Sequence, residues 1–192
     1  MALAVTSKDT NNKIHSWKFG LYVAFAAMIM MFASLTSAYI VRQAAGNWQE
    51  FRLPNLFFIN TLVILLSSAS LQYSYSSFKK ENERDYKLFM LITFVLGITF
   101  VVLQYQGWQA LTDIGILVNG NPAGSFIYVI SGLHVAHVLG GLAALTVALS
   151  HAFGLKFRPT PHRKLRFELT LQYWHFVGLL WLYLIVFFML SR

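Results

Sequence analysis

The 192-residue chain is 57% apolar and only 11% charged, where a soluble domain carries about a quarter of its residues charged. It has no cysteine, which excludes disulfides, thiolate metal ligation and c-type haem attachment together. The net charge of +8 flanks apolar runs and does not form a basic surface with stacking aromatics, so nucleic acid is not the partner it serves.

Five apolar stretches, residues 19–41, 56–75, 88–108, 125–150 and 169–190, are each long enough to cross a hydrocarbon core of about 30 Å. The fold class read from them is an all-α, polytopic membrane bundle of five transmembrane helices. A polar tail, residues 1–17, precedes a membrane domain of residues 18–192. The first apolar run is too long for a signal-peptide core, so the first helix is expected to stay in the protein. No soluble domain is left to hold a separate active site.

Cytoplasmic segments retain Lys and Arg, and the charges here divide sharply. Lys8, Lys13 and Lys18, then Lys79, Lys80, Arg84 and Lys87, then Lys156, Arg158, Arg163, Lys164 and Arg166 fall on one side, against Arg42, Arg52 and Arg192 on the other. The tail is therefore placed in the cytoplasm and the C-terminus outside. No internal repeat suggests an inverted-repeat transporter.

In the first span, Ala27, Ser34, Ser37 and Ala38 form a small-residue surface expected to pack against a neighbouring helix. The second starts after Pro54 and spaces Asn60, Ser67 and Ser74 by seven, a narrow polar seam expected to face protein. Its connector, residues 79–85, is mixed in sign and reads as solvated. In the third, Gln104 requires a hydrogen-bonding partner, and Trp108 fits an interfacial belt. The loop around Asn119, Gly120, Asn121 and Pro122 reads as tight turns.

The fourth span holds His134 and His137, the fifth holds His175 beside Trp174. At about 1.5 Å per residue, His137 and His175 both reach the inner half of the core. Glu168, Gln172 and His175 share one face at spacings of four and seven, giving a polar track from the inner surface. Three readings fit that track: packing between helices, help with proton movement, or ligation of metal or haem by His134 or His137 with His175. The cluster Lys156, Arg158, Arg163, Lys164 and Arg166 suits anionic lipid head groups or plain positive-inside anchoring.

The run Gly132-Leu133-His134-Val135-Ala136-His137-Val138, then Phe167-Glu168, then Tyr173-Trp174-His175-Phe176-Val177 with Trp181-Leu182 resembles subunit III of the haem-copper terminal oxidases. Residues 31–35 with Ala38-Tyr39, Asn60-Thr61 with residues 65–68, and Leu96-Gly97 with Phe100 and Gln104 extend the likeness over all five helices. The chain is similar to the short five-helix bacterial form, which lacks the first two helices of longer members. The resemblance implies an accessory subunit without haem or copper of its own, those cofactors lying in subunits I and II. It implies subunit I as main contact, with subunit II and small accessory subunits nearby, and structural phospholipids. It also implies support of proton uptake and durability during dioxygen reduction, in a bacterial cytoplasmic membrane. By motif, His134, His137, Glu168, Trp174 and His175 carry over, with no catalytic or metal-binding residue among them.

The chain departs from the family pattern at three places. Ala27-Met28 stands where a Ser-Glu pair is usual, Gly107 where a Glu often follows the Gln, and Gly178 where Asp usually follows Trp-His-Phe-Val. Roles resting on those acids do not transfer. A quinol oxidase, a nitric-oxide reductase partner, a self-contained b-type cytochrome and a small transporter are the alternative functions.

Overall fold

The computed structural model describes the backbone of residues 2–154, 157 and 160–191, with side chains from Ser16 onward. Five helices follow in order: α1 (Ala2–Ala44), α2 (Asn55–Lys79), α3 (Glu83–Asp113), α4 (Pro122–Gly154) and α5 (Pro161–Leu190). All five are long and apolar enough to cross a membrane, α1 through its Ser16–Ala44 part, and the described residues contain no strand. The helices outrun the apolar stretches at nearly every end, because hydropathy stops at the first charges while backbone hydrogen bonding continues. Arg163, Lys164, Arg166 and Glu168 thus occupy the first turns of α5. Successive crossings put the start of α1, the α2–α3 turn and the α4–α5 connector at one end, the N-side.

Local chemistry sets the helix starts. Asn82 caps α3 by accepting from the Asp85 amide at 3.3 Å, and Glu83 and Asp85 complement the positive end of its dipole. Thr160 caps α5, followed by Pro161 in the first turn. Only Lys80, Glu81 and Asn82 separate α2 from α3, with Glu81 in the left-handed region at φ 59°. Such a short link forces the two helices antiparallel and adjacent.

Helices α2 to α5 close a four-membered ring, α2 against α3, α3 against α4, α4 against α5 and α5 against α2, while α1 lies outside on α4 and α5. In the α2–α3 pair, serine hydroxyls replace bulky side chains and donate into the facing backbone. Ser67 reaches the Thr93 carbonyl at 3.2 Å, Ser70 that of Phe89 at 2.9 Å and Ser74 that of Tyr86 at 2.8 Å. Asn60 donates to Gln104 at 3.0 Å, giving the buried glutamine its partner. Small hydroxyl residues let helices approach where no hydrophobic force separates helix from lipid. The seven-spaced seam therefore does face protein.

The first helix departs from its expected face. Ala27, Ser34, Ser37 and Ala38 are exposed; Met28, Phe32, Thr36 and Tyr39 make the contact. Large side chains thus carry this contact, gaining dispersion attraction in place of close backbone approach. Trp108 also turns inward, donating to Ser131 of α4 at 2.9 Å. In the loops, Asn121 accepts from the amides of Ala123 and Gln49 and donates to the Asn47 carbonyl, pinning the first connector to the start of α4.

Candidate functional site

Two tryptophans one heptad apart form the axis of the ring. Trp174 projects from α5 between two glycines: a Cβ at Gly97 of α3 would lie 2.9 Å from its ring, and a Cβ at Gly141 of α4 also 2.9 Å. Its indole donates to Ser67 of α2 at 3.1 Å. One side chain thus touches all three other helices, and only glycine leaves it room. Two turns on, Trp181 donates to Thr61 at 3.1 Å and meets Phe57, Phe100 and His134.

His134 is 0% exposed within this upper layer. Its ring lies 4.9 Å from Trp181, 5.8 Å from Phe100 and 6.5 Å from Phe32, centroid to centroid. Neither ring nitrogen has a hydrogen-bond partner among the described residues. The Phe100 and Phe32 rings stand steeply to the imidazole plane, and such aromatic contact is a weak substitute for a polar partner. His137 sits one turn along, its Nδ1 2.7 Å from the Leu133 carbonyl and its ring 5.7 Å from Phe32. Nδ1 therefore carries the proton and donates. Tyr173 donates to the His137 carbonyl at 2.9 Å, tying α5 to α4.

His175 belongs to a different seam. Its Nδ1 lies 2.6 Å from the Ser68 hydroxyl and its Nε2 3.1 Å from Gln72 Oε1, both on α2. An amide oxygen only accepts, so Nε2 bears the proton and Nδ1 accepts from Ser68. Nearer the N-side, Glu168 accepts from the Tyr75 hydroxyl at 2.6 Å and lies 3.6 Å from the Lys18 ammonium. Glu168 therefore joins α1, α2 and α5. Between them Gln172 is partly buried, with Oε1 unpartnered among the described residues. The track expected on α5 exists, but as two separate hydrogen-bonded groups.

His134 and His175 do not converge. His134 is closed in by rings from α1, α3 and α5, whereas both nitrogens of His175 are held by α2. A haem held by two imidazoles needs both facing one space, which these do not. Among the described residues no three His, Asp or Glu side chains are grouped to hold a metal ion.

At the N-side, a cavity of about 520 Å³ lies where α3, α4 and α5 meet the start of α1's apolar part. Its walls are apolar, with Met90, Ala148, Phe157 and Leu169 among them, and His151, His162, Arg163 and Arg166 stand at its polar parts. Lys164 is exposed on α5, while Lys156 and Arg158 fall outside the described residues.

Sequence reading alone named one side of each contact. Lys18 was read only for topology, and Thr61, Ser68 and Gly97 only for position or likeness; that they, with Gln72, Tyr75 and Gly141, are the partners of α5 was missed. A signal for some of them was present: Ser68, Gln72 and Tyr75 repeat on α2 the four-and-three spacing of Glu168, Gln172 and His175 on α5.

The family model of cytochrome c oxidase subunit III matches residues 5–191. A relative from Rickettsia felis, named probable cytochrome c oxidase subunit 3, is 30% identical over 177 residues, 88% of this chain and 62% of the relative. One of the same name from Mycobacterium leprae is 29% identical over 187 residues, 95% of this chain and 92% of the relative. Cytochrome c oxidase subunit 3 of Oryctolagus cuniculus is 32% identical over 128 residues, 67% of this chain and 47% of the relative. The chain thus spans about three fifths of the rickettsial relative and nearly all of the mycobacterial one. The match runs through all five helices, and the chain belongs to the cytochrome c oxidase subunit III family.

Proposed function

We propose that this chain is an accessory, non-catalytic subunit of a respiratory haem-copper oxidase that takes electrons from cytochrome c and reduces dioxygen. The observation that carries this reading is the commitment of its intramembrane histidines to packing. His134 is walled in by Phe32, Phe100 and Trp181, and His175 is held at both nitrogens by Ser68 and Gln72. Polar groups at lipid depth are retained for a use, and the use here is to fix helix register. A rigid four-helix ring of this kind suits a brace for the haem-bearing subunit I, near subunit II.

The grouping of Lys18, Lys79, Lys80, Arg84, Lys87, Arg163, Lys164 and Arg166 at the N-side supports a cytoplasmic N-terminus in a bacterial inner membrane. The apolar cavity with Arg163 and Arg166 at its polar edge supports a seat for structural phospholipid, acyl chain inside and phosphate at the arginines. Glu168, paired with Tyr75 and near Lys18, lies where an effect on proton uptake at the cytoplasmic surface would arise.

Affinity purification of the tagged chain from its native membranes tests the reading. The expected result is a complex whose large subunits carry the haem absorbance, while the chain released from it carries none. A stoichiometric Soret band on the released chain would establish a b-type cytochrome instead. Purification with no haem-bearing partner would remove the oxidase reading.

A further inference from the structure

The seam between α2 and α3 is closed by two kinds of hydrogen bond that differ in what they leave over. Ser67, Ser70 and Ser74 each donate their one hydroxyl proton to a carbonyl of α3. Their donors are thereby spent. A primary amide brings two N–H protons and a carbonyl oxygen, so the single bond from Asn60 Nδ2 to Gln104 Oε1 at 3.0 Å leaves more behind. Asn60 Oδ1 and Gln104 Nε2 have no partner among the described residues, and both residues are 1% exposed. Turning both amides end for end changes nothing in kind: the pair again makes one bond and again leaves one carbonyl oxygen and one amide nitrogen.

The surroundings of the pair are apolar on both sides along the helices. Phe57 and Ile64 flank Asn60 on α2, and Phe100 and Gly107 flank Gln104 on α3, all four buried. A Cβ at Gly107 would lie 3.2 Å from the Phe57 ring, so these two residues close the side away from the N-side. Asn60 stands five residues inside the start of α2 at Asn55, about 8 Å along the axis. Bulk water is near that end but does not touch the pair. A donor and an acceptor left unmet at such burial are costly, and in folded proteins such groups are met by a small partner.

We propose that Asn60 and Gln104 together form a binding site for one internal water molecule. The two left-over groups lie close to each other because the other ends of the same amides are bonded. One of them is an acceptor and the other a donor. A cation would be repelled by the Nε2 protons and an anion by Oδ1, and either would lose its hydration for two neutral partners. Water accepts from Nε2 and donates to Oδ1 at once, which is how buried polar pairs of this kind are completed. It adds a second link between α2 and α3 beside the Thr61–Trp181 bond that ties α2 to α5.

Electron cryomicroscopy of the chain in its native assembly, at a resolution that shows ordered water elsewhere in the interior, tests the site. The expected result is one isolated density peak within hydrogen-bonding distance, about 2.7–3.2 Å, of both Asn60 and Gln104. A second direct bond between the two amides with no peak between them overturns the proposal, as does no peak at all or a peak belonging to a side chain or lipid. Infrared spectroscopy supplies a second measurement, comparing the wild-type assembly with the double variant Asn60→Leu/Gln104→Met. Replacing both amides by apolar groups strands no partner, so the variant keeps the seam. The wild-type spectrum should contain a water O–H stretching band that shifts in oxygen-isotope-labelled water and is lost in the variant. Identical isotope-sensitive bands in the two proteins overturn the proposal.

Discussion

His134 and His175 lie on neighbouring helices at membrane depth, yet they are held by opposite means. His134, fully buried, has no hydrogen-bond partner at either ring nitrogen among the described residues and is fixed by aromatic contact on three sides. His175, partly buried, is hydrogen-bonded at both nitrogens. For these two histidines burial does not track polar commitment: the deeper one is held by ring contact and the shallower one by hydrogen bonds. Trp174 and Trp181 combine the two means, wedged among glycines and rings and each donating one indole hydrogen bond to α2, whereas Glu168 links three helices through polar atoms alone.

The shape-held centre is the place to expect the largest losses. Trp174→Ala would empty a site bounded by Gly97 and Gly141 and remove the bond that Ser67 accepts, leaving its hydroxyl only the Thr93 carbonyl. Aromatic truncations of buried sites lose about 3–5 kcal/mol. Thermal denaturation of the solubilised complex, read as release of this chain, should show it as the most damaging single change. A loss under about 1 kcal/mol would mean that the ring is not keyed by this side chain.

Next in size is a glycine series. Gly141→Ala puts a methyl 2.9 Å from Trp174, and overpacking of this kind is destabilising by about 1–3 kcal/mol. Gly178→Ala serves as its control, because a Cβ there meets Ser68 Oγ at 3.7 Å and Ile64 at 3.9 Å, ordinary contact. Equal losses at 141 and 178 would show that helix flexibility, not the indole, decides the role of glycine.

The two histidines are compared directly by the same substitution. His175→Leu removes two hydrogen bonds and strands Ser68 and Gln72, a loss of about 1–2 kcal/mol. The chain should leave the complex sooner while the oxygen chemistry of retained complexes is unchanged. His134→Leu removes no hydrogen bond and exchanges ring contacts worth about 0.5–1.5 kcal/mol for aliphatic ones, so it should be the milder of the two despite its deeper burial. A larger loss at 134 would reveal a polar partner or water on that ring and dissolve the distinction.

How much of this was legible in the sequence follows the same physical line. Helical periodicity reports which residues share a face, so Asn60, Ser67 and Ser74, and likewise Glu168, Gln172 and His175, could be grouped without coordinates. It does not report register between helices. The pairing of Thr61 with Trp181, Ser68 with His175 and Tyr75 with Glu168 needs the antiparallel alignment of α2 on α5. The packing role of Gly97 and Gly141 was silent because glycine is ordinary in membrane helices, and only the indole between them gives them that meaning. On α1, Ala27, Ser34, Ser37 and Ala38 show that small residues permit close packing without requiring it. Phe32 and Met28 occupy the contact instead.

The smallest effect is expected at the N-side end of the seam. Lys18 and Glu168 are 3.6 Å apart and both partly exposed, at 37% and 24%, so their ion pair is screened and worth under about 1 kcal/mol. Tyr75 donates to the same carboxylate at 2.6 Å from a buried position, and that bond is the stronger tie. Tyr75→Phe should therefore loosen α2 from α5 more than Lys18→Gln loosens α1, as read by hydrogen exchange at the N-side ends of those helices. Because Coulomb attraction at the surface falls with ionic strength while the tyrosine bond does not, raising salt should erase the Lys18→Gln effect and leave that of Tyr75→Phe standing. A salt-independent Lys18→Gln effect would place the ammonium out of reach of counterions, and the polar seam would then begin one helix further out than Glu168.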